Sequence, residues 1–161
     1  MSNLKQSQFC DLTIERAVAL MVERTGDMAL VVDRMFTFAA AQACVAEGPA
    51  KASSMMHYMI AQVDAGAFDY LGQPDGRSKP VVGLQDTRGM CDEIVATAAR
   101  RMIERGATIE MALDRLLTYS TAQACHVGGA FETAAMFRNV AAQVEAGAFA
   151  HVEPAQPGKG H

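Results

Sequence analysis

The sequence predicts an all-α protein made of two tandem three-helix repeats that pack as a pseudo-twofold helical bundle. Two observations lead to this prediction. At an offset of 81 positions, residues 10–70 align with residues 91–151 without a gap, and 22 of the 61 pairs are identical. A constant offset of this kind is typical of duplicated supersecondary units. Half of the residues are hydrophobic (50%), many of them Ala and Met, and Trp is absent, which is typical of packed helices with small-residue contacts.

The first helix of each repeat is predicted from an apolar stripe at helical spacing. In the first repeat it starts near Cys10, and Ser2 or Asn3 can cap an extension through the polar leader. The two matching stripes are formed by Cys10, Ile14, Ala17 and Met21, and by Cys91, Val95, Ala98 and Met102. Gly26 and Gly106 follow where a helix commonly ends in a left-handed residue.

The second and third helices are predicted from caps and breakers. Asp27 and Thr108 occupy the same repeat position, and both are good N-caps for the second helix. Pro49 suits the first turn of a third helix, because its missing N–H would have no partner there. The glycines expected to end the second and third helices are Gly48, Gly66, Gly128, Gly129 and Gly147.

The chain therefore divides into four segments. Residues 1–70 form the first repeat, 71–89 a linker rich in Gly and Pro, 90–152 the second repeat and 153–161 a flexible tail. A lone three-helix unit with this much apolar surface would be marginal, so we expect the two repeats to pack face to face. The linker is long enough for this pairing to occur within one chain or by swapping between two chains, and the sequence leaves both arrangements open.

The charge balance argues against nucleic acid as a partner. The formal net charge is -4 and the pI is about 5.5, whereas nucleic-acid binding usually leaves a basic footprint. The local cluster of Arg100, Arg101 and Arg105 is interpreted as a solvated helix face.

Localisation is predicted from what the sequence lacks. The chain starts with a polar stretch, and no uncharged apolar run approaches the roughly 20 residues of a membrane helix. We therefore expect a cytoplasmic protein that does not contact membranes. Its four cysteines form no CxxC pair and are expected to be free, buried thiols.

Cys44 and Cys125 are the first candidates for chemistry. Each follows Gln-Ala near the C-terminal end of a predicted helix, where the dipole disfavours a thiolate, so we interpret them as buried thiols rather than nucleophiles. His126 is adjacent to Cys125, but neighbouring residues on a helix point in different directions. His, Cys and carboxylate residues form no pair at ligand spacing, so neither a metal nor a cofactor is expected.

Charged and amide residues kept in both repeats allow two interpretations. Asp33 and Asp114 could face one another as an acid–base pair, or form ion pairs, Asp33 with Arg24, Arg34 or the other repeat. We favour ion pairing. For the retained amides Gln42 and Gln123 we favour hydrogen bonds between helices over ligand contacts.

These patterns predict a non-catalytic helical interaction or regulatory module that acts through protein–protein contacts. Duplicated helical units make self-complementary surfaces, so the expected partner is a second copy, as a homodimer, or another protein. The alternative is a small-molecule-binding protein or enzyme with a pocket between the two repeats. The residues expected to line that pocket are Gln42, Cys44, Gln123, Cys125 and His126, with Asp33 and Asp114 nearby.

Overall fold

The computed structural model describes residues 2–71 and 84–152, and every regular element in these two ranges is helical. The elements in chain order are α1 (Asn3–Thr25), α2 (Met28–Glu47), α3 (Pro49–Asp64), a 3₁₀ turn (Asp69–Leu71), α4 (Leu84–Glu104) and α5 (Ile109–Glu145). For the described residues the predicted all-α class is confirmed.

Side-chain caps fix the starts of three helices. Asp27 accepts a hydrogen bond from the backbone N–H of Leu30 at 3.2 Å, and Thr108 accepts one from Met111 at 3.1 Å. Both predicted caps are therefore confirmed. Ser2 caps α1 by accepting from the N–H of Lys5 at 3.4 Å, so the first helix begins at Asn3 and includes the extension through the polar leader that the sequence allowed.

The predicted break between the second and third helices is present in both halves. Gly48 has φ 89° and ψ 161°, and Pro49 starts a new helix, α3, directly after it. Gly129, which lies 81 positions later, has nearly the same non-helical dihedral angles, φ 86° and ψ 170°. It divides α5 into two helical segments, so the predicted break near Gly128 and Gly129 is confirmed, with Ala130 in place of the proline.

The predicted linker over residues 71–89 was too long at its C-terminal end. Helix α4 begins at Leu84, so the last six residues of that segment are helical. Gly89, the last residue of the predicted linker, lies inside α4, where one glycine costs only about 1 kcal/mol relative to alanine. Residues 72–83 of the linker and the predicted tail, 153–161, lie outside the described residues.

Helices from the two halves of the chain pack on each other more than on their sequence neighbours. Helix α1 contacts α4 more extensively than it contacts α2, while α2 and α3 both pack along α5. One core cluster surrounds Phe36 and Phe137, whose ring centroids are 4.3 Å apart. A second cluster lies between α1, α2, α4 and α5 and contains the fully buried Cys10 and Cys91. The interior is therefore shared between the halves.

Helix α2 (Met28–Glu47) is long and apolar enough to cross a membrane, judged by length and composition alone. In the fold, 56% of its most apolar stretch is buried against other helices. It also carries Asp33 and Arg34 near its middle. Packing in the core accounts for its apolar composition.

Two ion pairs connect the halves in a reciprocal way. The guanidinium of Arg34 in α2 donates two hydrogen bonds to Asp92 in α4, at 2.7 and 2.9 Å. Arg115 in α5 donates two to Asp11 in α1, at 2.7 and 3.0 Å. The second pair repeats the first at the offset of 81 positions with the halves exchanged. Arg34 was one of the partners predicted for Asp33, and Arg34 Nη1 lies 3.5 Å from Asp33 Oδ2. This distance is longer than the 2.7 Å between Arg34 Nε and Asp92 Oδ1, so Asp92 is the closer partner.

Replacing Arg34 with Met should lower the free energy of unfolding by about 1–2 kcal/mol, because a bidentate, charge-assisted bridge is lost and Asp92 is left without its guanidinium. Arg115→Met should cost less, because the Arg115 side chain is 32% exposed against 18% for Arg34. Urea unfolding of both variants checks the order. Equal losses, or no loss in either variant, would contradict this account of the bridges.

Candidate functional site

The seven residues proposed as pocket candidates differ in burial. Gln42 and Cys125 are buried, each 5% exposed. The half-buried candidates are Asp33, Cys44 and Gln123, and the exposed ones are Asp114 and His126. Of the seven, Cys44 lines one of the two cavities described below for the described part of the chain.

The cavity at Cys44 is small and apolar. It has a volume of about 230 Å³ and lies between the C-terminal end of α2 and the turn that follows α5. Its lining consists of Cys44, Val45, Pro49, Val144, Gly147, Phe149 and Ala150. Burial raises the pKa of the Cys44 thiol, so the group stays protonated at neutral pH and is not an activated nucleophile.

The equivalent cysteine, Cys125, has a different environment. Burial raises the pKa of Cys125, while a hydrogen bond with Thr133 lowers it and the nearby carboxylate of Asp69 raises it. Ala52 and Ala150 take the places of Thr133 and Asp69 on the Cys44 side. Of these two alanines, Ala150 lines the Cys44 cavity.

A larger groove runs between α1 and α4, with a volume of about 710 Å³. Among the described residues, its lining comes from these two helices and from Arg105, which directly follows α4. On α1 the lining residues extend from Phe9 to Arg24, which corresponds to about 22 Å of helix. The lining residues are Phe9, Thr13, Arg16, Ala17, Leu20, Arg24, Met90, Glu93, Ile94, Thr97, Ala98, Arg101, Glu104 and Arg105.

The floor of the α1–α4 groove is apolar. Ala17 and Ala98 occupy the same repeat position, and their small side chains let the two helices approach closely. Met90 and Ile94 are half-buried and pack against the second core cluster. Leu20 is half-buried but belongs to neither cluster, so its side chain is available for contact from outside.

The rim of the groove carries more positive than negative charge. It has four arginines and two glutamates, although the whole chain has a net charge of -4. Within residues 2–71 and 84–152, no carboxylate lies within 4.0 Å of the guanidinium groups of Arg16, Arg24 or Arg101. The basic rim is therefore not neutralised by direct ion pairs at these three positions.

Contacts at one end of the groove show that α1 and α4 run antiparallel. The guanidinium carbon of Arg105 lies 5.4 Å from the ring centroid of Phe9. The side-chain amide of Gln6 donates to the carbonyl of Gly106 at 3.0 Å. The start of α1 thus lies beside the end of α4.

Sequence reasoning missed this groove. Arg101 and Arg105 were recognised as a cluster and assigned to a solvated face, but Arg16 and Arg24 lie about 80 positions earlier in the chain. Only the packing of α1 on α4 brings the two sets together. The signal that could have found the groove is the pair of apolar residues Phe9 and Leu20, which lie on α1 but outside the stripe assigned to the core.

A second polar cluster joins the ends of α3 and α5. The hydroxyl of Ser53 donates to Glu145 Oε1 at 2.6 Å, and His57 Nε2 lies 3.3 Å from the same oxygen. Ser53 thus contacts the carboxylate and not the imidazole, which is unlike a nucleophilic triad, where serine donates to histidine. The equivalent positions hold an ion pair between Arg138 and Asp64 at 3.0 Å. The cluster is a structural cross-link.

The Ser53 cluster predicts a pH effect. The hydrogen bonds from Ser53 and His57 hold the pKa of Glu145 below its usual value of 4.5. Because the folded pKa is the lower one, the ionised carboxylate stabilises the fold above about pH 4.5, and this contribution is lost as the pH falls through the folded pKa. Ser53→Ala should raise the pKa of Glu145 toward 4.5, as measured by carboxyl NMR titration.

The control for this titration is Ser54→Ala, since the Ser54 hydroxyl donates to the backbone carbonyl of Ala50 and not to Glu145. It should leave the pKa of Glu145 unchanged. Glu145→Gln should remove the corresponding step from the pH dependence of the unfolding free energy. A Glu145 titration at 4.5 in the unaltered protein would contradict the assigned contacts.

Comparison with known proteins identified no relative of this chain. No family model, curated protein or solved structure matched the chain. Its function is therefore inferred from the contacts, cavities and charges of its own residues.

Proposed function

We propose that the protein is a non-catalytic helical interaction module that binds a helix of another protein in the α1–α4 groove. The observation that carries this proposal is the groove itself. It has a volume of about 710 Å³, and its apolar floor extends along two antiparallel helices. Helix-in-groove recognition uses such a floor, and the bound helix inserts apolar residues spaced i, i+3, i+4 and i+7.

The proposed architecture behind the groove is two tandem three-helix repeats related by an approximate twofold axis. The exchanged ion pairs Arg34–Asp92 and Arg115–Asp11 support it, because a twofold axis turns each contact into its reciprocal. The nearly equal dihedral angles of Gly48 and Gly129 also support it. In this arrangement α1, the first helix of one repeat, packs against α4, the first helix of the other, and the groove lies between them.

The shape of the groove favours a helix over a small molecule. Small-ligand sites bury most of the ligand surface, which needs walls on several sides. Among the described residues, α1, α4 and the adjoining Arg105 supply the lining, which leaves the groove open along one side. A partner helix covers the opening with its own side chains, and about four turns of helix match the length of the floor.

Charge favours a different protein over a second copy as the occupant. Two grooves placed face to face would bring two sets of four arginines and two glutamates together, and like charges in a contact are costly. Self-association, which the sequence analysis favoured, is therefore the competing outcome. The chain's own undescribed segments also fit poorly, because 153–161 lacks large apolar residues apart from prolines and 72–83 contains Pro74 and Pro80.

Leu20→Glu should abolish helix binding, because it places a charge on the apolar floor at a residue outside both core clusters. The assay selects binders of the full chain from a displayed library of random 18-residue peptides and measures their affinities by fluorescence anisotropy. We expect selected peptides to be helical when bound and to lose at least tenfold in affinity for Leu20→Glu.

The matched control is Leu12→Glu, which alters another leucine of α1 that is 52% exposed and does not line the groove. It should leave peptide affinity unchanged. Peptides that bind both variants equally, or a selection without binders, would refute the proposal. A dimer in sedimentation that dissociates with Leu20→Glu would assign the groove to a second copy instead.

The second candidate function is binding of a small apolar ligand in the Cys44 cavity, which lies between residues of the two proposed repeats. Its volume of about 230 Å³ is below the usual range for ligand sites, so it ranks second. Small aromatic probes such as indole should raise the Tm of the unaltered protein, because a ligand that binds only the folded state stabilises it.

This Tm increase should disappear in Ala150→Phe, which fills the cavity from its rim, and persist in Ala148→Phe, which changes a neighbour outside the lining. An unchanged Tm with every probe, or an equal increase in both variants, would rule out the cavity as a binding site.

A further inference from the structure

We propose that the partner helix is acidic at one end and that the groove fixes its direction, with the acidic end beside Arg101 and Arg105. This inference rests on the proposed function and names the chemistry of the partner. It follows from the unequal ends of the α1–α4 groove.

The two ends of the groove differ in chemistry. The arginine end holds Arg101 and Arg105, and its position is fixed by the contact of Arg105 with Phe9. Leu20 lies about 16 Å further along α1 from Phe9. Met90 and Ile94 lie about 16–22 Å back along α4 from Arg105. Because the helices are antiparallel, these three apolar residues share the other end, here named the apolar end. That end also carries one arginine, Arg24, against the two of the arginine end.

Several equivalent positions in the lining hold unlike residues. Leu20 and Arg101 are 81 residues apart and therefore correspond in the repeat, as do Thr13 and Ile94. The first pair places leucine at the apolar end and arginine at the other. The second places isoleucine at the apolar end and threonine at the arginine end. These differences distinguish the two directions in which a helix could bind.

Acidic groups are the expected partner of the rim as a whole. Four arginines face two glutamates, Glu93 and Glu104, one toward each end of the groove. At the arginine end two guanidinium groups exceed the single carboxylate of Glu104. Exposed pairs of this kind add little affinity each, but they set orientation and association rate and weaken with salt.

The test uses the displayed peptides that depend on Leu20, so that binding at the groove is established first. Their sequences should be enriched in Asp and Glu at one end and in apolar residues at i, i+3, i+4 and i+7. Arg101→Gln combined with Arg105→Gln should weaken them about five- to tenfold. Raising NaCl from about 50 to 300 mM should weaken binding to the unaltered protein severalfold and to this variant much less.

Arg100→Gln is the matched control, because Arg100 is an exposed neighbour on α4 that does not line the groove and donates to Thr97 at 3.1 Å. It should change affinity by less than twofold. Circular dichroism confirms that each variant keeps its helical content.

Direction is measured with a nitroxide label on the acidic end of the peptide. Paramagnetic broadening should be strongest at Thr13 and Arg101 and weak at Leu20 and Ile94. Broadening at the apolar end, or an unchanged peptide affinity in the arginine variant, would overturn this inference. The proposed function would still hold in that case, as long as binding depended on Leu20. Loss of Leu20 dependence would remove both.

Discussion

Each bidentate Arg–Asp bridge joins a helix of the first half of the chain to a helix of the second, and the rest of the structure depends on that connection. Arg34 ties α2 to α4, and Arg115 ties α5 to α1. Guanidinium and carboxylate meet in one planar geometry, so the bridges fix the register of the helices. The apolar clusters supply most of the burial energy, but apolar contacts alone tolerate sliding.

That register positions both candidate sites. With α1 held against α4, two helix faces that are individually unremarkable become one groove with an apolar floor and a basic rim. With α2 held against α5, Cys44 lies beside Phe149 and the turn after α5. Neither site could form within a single half of the chain, because each draws residues from both.

Local signals in the sequence predicted the helices well and their partners poorly. The caps Asp27 and Thr108 were identified because a cap acts within one turn of its own helix. Gly89 was misinterpreted because a glycine inside a helix and a glycine in a linker look alike in sequence. The sequence indicated ion pairing for Asp33, with Arg34 as one possible partner. The exchanged pairs Arg34–Asp92 and Arg115–Asp11 were not predicted, since pairing depends on tertiary packing.

The difference between Leu20 and Arg101 illustrates an advantage of holding both halves in one polypeptide. In an assembly of two identical subunits, every mutation is made twice, and a symmetric binding surface must stay symmetric. When both halves belong to one gene product, one side can change while its counterpart does not. The Ala150 and Asp69 positions have diverged in the same way, and Ala150 lines the Cys44 cavity. Covalent linkage thus allows the two halves to acquire different surfaces without losing the contacts that hold them together.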